Sequence, residues 1–544
     1  MGVMESRRPT VPAWAWGLAV AMVALALFLP AVRFPFFPFW DDDIHVHANP
    51  HVAQLSWSGI RALWSGPWQQ LYIPLTYSVW AAMAAASRWW DGIPIVSGPI
   101  NAAWFHGANV AAHSVSAVLV FVFLRRTAVR FFPRATGGRA DLAAAVGAAI
   151  FALHPLQVEP VAWVSGLRDV LGGCLGLASL AVLFGAERLT PARWGVATLL
   201  FVASLAAKPA GVSLPLVAGI LAVAPFTWPW RKIATALGPW LAIGAAWVLI
   251  TSSAQWAAEL AAGLVPVWVR PLVAADALTF YIGKALWPAA LAADYGRSPD
   301  SMMASGLLWW IWIVPCAVVA ALAAFKPLRV YLVPFGIFAA ALLPTLGLVP
   351  FNFQVVSTVA DRYAYFAMLG PALAASMILV QTNRRWIDAA VVACAVMLGF
   401  LSAWRLPLWS EDLKLFADTL AVNPESWKAM HNYASALDDR GRTAEAEPLM
   451  RQVIARRPDS AEAHNDLAVI VWKLGRRQEA VALMRRSLAL RATPGSAANL
   501  ARMEAQCGNK QGVIEALGVL VRLEPGNREA AEELSALMQP VETH

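Results

Sequence analysis

Charged residues are scarce. The 544-residue chain holds Asp, Glu, Lys and Arg at only 14%, against 59% hydrophobic residues, where a soluble chain of this length holds about a quarter. They are sparse up to about Trp404 and dense from Glu411 onward. That pattern excludes a single soluble globule. It predicts a polytopic membrane part over residues 1–408 and a soluble part over 409–544. Cysteine is scarce too, with four in all. Cys174, Cys316 and Cys394 sit in apolar runs and Cys507 in the soluble part, and no pair has the spacing of metal ligands or of a disulfide framework. They read as small hydrophobes. The apolar run 11–32 lacks a clear small-residue cleavage site before Arg33, so it reads as an uncleaved first span. A continuous basic stripe is missing as well. The net charge of +8 comes largely from short clusters between apolar runs, such as Arg7–Arg8, Arg125–Arg126, Arg231–Lys232 and Arg384–Arg385. That is the positive-inside pattern of a membrane protein and not a nucleic-acid footprint.

The apolar runs predict about eleven spans, at 12–32, 99–124, 141–158, 166–186, 194–207, 211–228, 233–252, 305–324, 329–349, 362–381 and 386–404. With Arg7 and Arg8 inside, the loop after the first span is external, and the clusters at 125–134, 188–193, 231–232, 326–329 and 384–385 fall inside. The parity requires that residues 71–86 and 271–291 lie on the external face without crossing, as interfacial or re-entrant helices. The C-terminal part is then external.

That part repeats. Pro424 pairs with Pro458, Ala434 with Ala468, Gly441 with Gly475 and Ala446 with Ala480, and His431 with His464 one place out of step. The period of about 34 residues is that of the tetratricopeptide repeat. Small residues let two helices pack closely, Gly permits the turn and Pro ends the second helix. A weaker third unit covers about 494–523 and a cap about 528–538. Such an array either packs on the membrane part or holds a peptide.

Four polar constellations interrupt the apolar background, all on the predicted external side. The first is "FWDDDIHVH", with Asp41, Asp42, Asp43, His45 and His47. The second is "HPLQVEPVAWVSGLRDV", with His154, Glu159, Arg168 and Asp169. The third is Lys208 in "AAKPAGVSLP", and the fourth is Asp361 and Arg362 in "VSTVADRYAYF". Each has a plainer reading: a solvated helix end, a structural ion pair, a snorkelling lysine, an interface anchor, a histidine on a backbone carbonyl. Together they suit one chemistry. A carboxylate takes the proton of an incoming hydroxyl, and cations hold a departing lipid phosphate at headgroup depth. Three crowded aspartates are expected to raise one another's pKa, which favours a base.

The stretches "FWDDDIHVHANP", "YIPLTYSVW", "ALHPLQVEPVAWVSGLRDVL", "AAKPAGVSLPL" and "ADRYAYF", followed by the repeats, span nearly the whole chain. In that order they resemble the transmembrane and tetratricopeptide-repeat O-mannosyltransferases and their bacterial relatives, within the GT-C class of glycosyltransferases. The resemblance implies an all-α fold: a GT-C-type helical bundle followed by an α-solenoid. It implies inverting transfer of a sugar from a polyprenyl- or dolichyl-phosphate carrier to a protein hydroxyl, with the base in the acidic motif. Among Asp41, Asp42 and Asp43, Asp42 is favoured. The charge argument places the phosphate clamp on Arg168, Lys208 and Arg362, with His154, Glu159, Asp169 and Asp361 in support. Pro209 stands where the family often has an acidic residue, and "RYAYFA" replaces an "RYLYLP"-like stretch. Both changes bear on the donor pocket and leave the sugar open, mannose being the eukaryotic expectation.

No cofactor is required by this chemistry. A divalent metal on the aspartates with His45 and His47 is the less favoured reading, because a lipid-monophosphate donor leaves without a diphosphate. The Ala-, Arg- and Trp-rich composition suggests a high-GC bacterium, with the protein in the inner membrane, its N-terminus cytoplasmic and the repeats periplasmic, where they would bind the acceptor protein. Two other readings predict different behaviour. A non-catalytic repeat scaffold would tolerate neutral replacement of the external charges. A transporter of lipid-linked material would carry charges along a path through the spans, not at one end.

Overall fold

The computed structural model describes residues 11–37, 40–93, 98–135, 137–255, 265–382 and 384–539. Among these residues the chain is helical, with no strand and one isolated bridge between Trp68 and Leu71. It divides into two compact units, Met1–Lys414 and Leu415–His544. Arg7 and Arg8, on which the inward N-terminus rests, lie outside the described residues.

The first unit is built around the helix Ala102–Phe131. Helices Ala13–Phe28, Gly137–Leu153 and Leu167–Leu183 pack against it. Six segments are long and apolar enough to cross a membrane: Ala13–Arg33, Ala102–Phe131, Val164–Leu183, Trp230–Ser253, Lys326–Thr345 and Arg385–Ser410, with mean hydropathies from 1.5 to 2.2. Gly137–Leu153 and Pro155–Ala162, bent by 52°, form a seventh if taken as one broken span. This is fewer than the eleven expected. The other four expected segments fall on Pro191–Ala207, Pro209–Val223, Leu308–Ala324 and Leu369–Thr382, which have 10–17 residues where a straight crossing needs about 20. The apolar runs continue through breaks that the helices do not survive. Lys208, for example, precedes Pro209 and is extended, because proline disfavours helical geometry in the residue before it.

Several of the six face outward with apolar side chains. Leu249, Met397, Phe400 and Trp404 are 60–77% exposed. Such faces would be costly in water, at about 25 cal/mol per Å². Helices Pro74–Trp90 and Arg270–Leu286, expected not to cross, are not among the candidate spans. Each buries one side, through Tyr77 and Trp80 in the first and Asp276 and Tyr281 in the second.

The second unit is a row of helix pairs: Trp427–Asp439 with Thr443–Arg456, Ala461–Lys473 with Arg477–Leu490, and Pro494–Gln506 with Lys510–Leu523. Arg528–Met538 packs on the end. Ser426 and Ser460, 34 residues apart, cap the first helix of their pairs by accepting from the Ala429 and Ala463 amides. Gly441, Gly475 and Gly508 turn each pair with φ of 76°, 85° and 74°, angles that disfavour any side chain. Ala434, Ala446, Ala468 and Ala480 are fully buried where the helices meet. The 34-residue register sets His431 opposite Asn465, one place beyond His464.

Candidate active site

Local breaks position the polar groups. Residues 154–167 are all buried, yet they are not one helix. His154 is extended before Pro155, a turn of helix runs over Val158–Ala162, Trp163 is extended again, and Leu167–Leu183 then begins. Irregular backbone at membrane depth survives only where protein surrounds it and satisfies its polar groups. Here Asn109 donates to the Trp163 carbonyl at 2.5 Å, and Gln157 donates to the Phe151 and Tyr365 carbonyls.

The three aspartates have three different environments. Asp42 is fully buried. Its Oδ1 accepts from the Ser165 amide at 3.0 Å and the Ser165 hydroxyl at 2.5 Å, and its Oδ2 accepts from the Phe37 amide at 3.1 Å. It fastens the acidic loop to the second constellation. Asp41 has 37% of its side chain exposed, and its Oδ2 accepts from Arg168 Nη2 at 2.8 Å. Asp43 is exposed at the start of the π-helical turn Asp43–His47. The favoured position therefore moves from Asp42 to Asp41. Both Asp42 oxygens are engaged and out of reach of an incoming hydroxyl, whereas Asp41 has an open side.

The expected mutual rise in pKa is also corrected. Burial, more than a neighbouring charge, pushes Asp42 up to about 6, against the donors from Ser165 and Phe37. Burial pushes Asp41 up as well, but Arg168, helped by His45 and Arg362, brings it below the usual carboxylate value. His45 is neutral at pH 7, because burial lowers its pKa to about 4. Its Nδ1 is taken by the Tyr77 hydroxyl at 2.9 Å. His47 packs its ring edge-to-face on Phe36. Neither histidine joins the aspartates in a group that could hold a metal, among the described residues.

The three expected cations gather on two rings. Arg168 and Arg362 lie 5.1 and 5.5 Å from the Trp163 ring centre, and Lys208 and Arg362 lie 5.2 and 5.0 Å from that of Tyr363. Each also has a carboxylate. Arg168 pairs with Asp41, Lys208 with the fully buried Asp169, and Arg362 with Glu159 at 2.5 Å. Glu159 accepts the Arg362 backbone amide too, at 3.1 Å. Arg362 is 5% exposed and enclosed by Phe353, Tyr363 and Trp163. Arg168 and Lys208 keep 12% and 18% of their side chains open. Of the three cations, Arg168 and Lys208 are thus more accessible than Arg362.

Two supporting residues do other work. His154 accepts from the Leu156 amide and contacts the Ala285 carbonyl at 3.2 Å, the plainer of its two readings. Asp361 accepts from the Tyr295 hydroxyl at 2.5 Å and lies 3.8 Å from Arg405. Ser165, Trp163, Tyr363 and Tyr295 were missed by sequence reasoning. The first three lie inside the motifs already singled out, so a search for donors and aromatic faces there would have found them.

A family model described as tetratricopeptide repeat matches residues 432–497. The second unit contains tetratricopeptide repeats. No curated protein matches the chain. Among solved structures, the chain is similar to a crystal structure of MamA protein, at 18% identity and a TM-score of 0.22, over 23% of this chain and 69% of that one. A second MamA crystal structure is similar at 17% identity and a TM-score of 0.22, over 27% and 81%. The APC/C hetero-tetramer Cut9-Hcn1 is similar at 11% identity and a TM-score of 0.19, over 85% and 91%.

Proposed function

We propose that the protein is an integral-membrane glycosyltransferase of GT-C type. It moves a sugar from a polyprenyl-phosphate carrier to a protein hydroxyl on the periplasmic side of a bacterial inner membrane. The observation that carries this reading is a half-open carboxylate, Asp41, held 2.8 Å from Arg168, with Arg362 sharing the Trp163 ring with Arg168 and the Tyr363 ring with Lys208. Both sets of charges lie at the ends of apolar helices, where a lipid phosphate sits. In this reading the short apolar helices complete about eleven crossings as tilted or broken spans.

Arg168 and Lys208 would receive the lipid phosphate, and the phosphate would compete with Asp41 for the Arg168 fork. Losing that partner raises the basicity of Asp41 at the moment the donor is bound. The acceptor oxygen bonds to the anomeric carbon, its proton passes to Asp41, and the bond from sugar to phosphate oxygen breaks. The polyprenyl phosphate leaves with the bonding electrons, its charge held by the two cations. Glu159 and Asp169 keep Arg362 and Lys208 in place. The repeats would bind the acceptor, as such arrays bind protein segments.

The test is transfer of a labelled sugar from polyprenyl phosphate to periplasmic peptides, with the purified protein in bilayers. Asp41→Asn is expected to lower the rate by about 10² to 10⁴, with an unchanged melting midpoint. Full activity in Asp41→Asn would remove the assignment. A repeat scaffold is the second reading, favoured by the match at 432–497. It predicts no transfer from any donor and unimpaired partner binding in the same variant.

A further inference from the structure

We infer that the first junction between repeats is a divalent metal site of the zinc class, made by His431, Glu462 and Asp466. His431 lies on Trp427–Asp439, and Glu462 and Asp466 lie one helical turn apart on Ala461–Lys473. Residues four apart share a helix face, so the two carboxylates meet the imidazole from the neighbouring repeat. One ligand atom from each of the three lies within 4.8 Å of the other two. A tetrahedral ion with ligands at about 2.0–2.2 Å needs them some 3.3–3.6 Å apart. His431 Nε2 and Asp466 Oδ2 are 2.8 Å apart. The needed separation falls between 2.8 and 4.8 Å, and small side-chain rotations reach it.

The imidazole is already aimed at a carboxylate. His431 is only 6% exposed, and its Nε2 lies 2.8 Å from Asp466 Oδ2 in a contact that does not meet hydrogen-bond geometry. A cation between the two would take a lone pair from each. The surroundings already orient the ligands. Asn465 donates to Asp466 Oδ1 at 2.8 Å, leaving Oδ2 toward the imidazole. Asn432 sits 3.4 Å from His431 Nδ1. Outer hydrogen bonds of this kind fix the aim of metal ligands.

The set is peculiar to this junction. Asn465 stands 34 residues after His431, and Asn499 stands 33 after Asp466, matching the step from Gly475 to Gly508. Those two asparagines bond amide to amide at 3.3 Å. The second junction is thus closed by a neutral hydrogen bond and the first by metal-ligating groups. One imidazole and two carboxylates suit a borderline ion such as Zn²⁺ more than Mg²⁺ or Ca²⁺, which take oxygen alone. With three protein ligands, a fourth position stays open beside the exposed Glu462, for water or for one side chain of a bound segment.

The test uses the full-length protein, stripped with chelator and dialysed, with ZnCl₂ as the probe and MgCl₂ as the control. Metal content and calorimetry are expected to show one high-affinity Zn²⁺ per chain and none for Mg²⁺. Glu462→Gln and Asp466→Asn are expected to weaken it at least tenfold. The metal-free helicity and melting midpoint of Glu462→Gln should match the wild type, since Glu462 is exposed. Zn²⁺ should raise the wild-type midpoint and leave that of Glu462→Gln unchanged. Glu462 has no part in a bare ion pair between His431 and Asp466. Unchanged Zn²⁺ binding in Glu462→Gln, or no saturable binding in the wild type, would therefore overturn the site.

Discussion

Asp41 and Asp42 are adjacent in sequence and opposite in chemistry. A turn of chain rotates neighbouring side chains apart, so one meets Ser165 and the other Arg168. The two therefore fail differently when changed. Asp42→Asn keeps one acceptor oxygen and replaces the other with a donor. A buried amide of Phe37 or Ser165 is then left facing an NH₂ group, at about 1–3 kcal/mol. The loss depends on pH. Asp42 titrates at about 6 in the folded chain against an ordinary 3.8. Between those values the folded state holds a proton that the unfolded state has released, so acid favours folding there. The contribution is complete below about pH 4 and lost as pH rises through about 6. A shift of roughly two pH units corresponds to about 3 kcal/mol. Asn does not titrate. The gap in melting midpoint between wild type and Asp42→Asn should therefore narrow from pH 4 to 6.5 and stay level above. A gap that does not change across this window would show that Asp42 titrates as an ordinary surface carboxylate.

At the scale of the element, the decisive feature is the broken run from His154 to Arg168. Gly166 sits in its last turn, between the residue that fastens Asp42 and the one that pairs with Asp41. A methyl group placed there would lie 2.2 Å from the Pro160 carbonyl oxygen and 2.7 Å from its carbon. Those are backbone atoms and cannot swing aside. Gly166→Ala is expected to cost about 1–3 kcal/mol or more and to lower sugar transfer at least tenfold by moving Ser165 and Arg168. Wild-type stability and transfer together in this variant would refute the tight turn. Much of this was legible in the sequence. Pro155 and Pro209 announce the breaks, and the repeat helices announce themselves through Ser caps, Gly turns and buried Ala. The choice between Asp41 and Asp42 was not legible, because it depends on partners 123 and 127 residues away. The pairing of Asp361 with Tyr295, and of its neighbour Arg362 with Glu159, was hidden for the same reason. The apolar runs outnumber the six long helices because hydropathy runs on through turns at which a helix stops.

For the whole molecule, the four cysteines report on membrane placement without any engineered residue. Cys316 and Cys394 are exposed on the surface of the first unit, on the apolar helices Ile313–Ala324 and Arg385–Arg405. In the proposed arrangement lipid covers them, and a charged thiol reagent cannot reach them. Cys174 is half-buried within Leu167–Leu183. Cys507 is exposed at the end of Pro494–Gln506, in the repeats. In the proposed topology, eleven crossings with the N-terminus inside put the repeats outside. A membrane-impermeant maleimide added to intact spheroplasts should therefore modify Cys507 quickly and leave Cys316 and Cys394 unmodified until detergent is added. Modification of Cys507 only after lysis would place the repeats in the cytoplasm and, by the same parity, move Asp41, Arg168 and Lys208 inward with them. A periplasmic acceptor would then be out of reach. Rapid modification of Cys316 and Cys394 in intact spheroplasts would mean that water, not lipid, covers those helices, and the case for a lipid-linked donor would lose its physical basis.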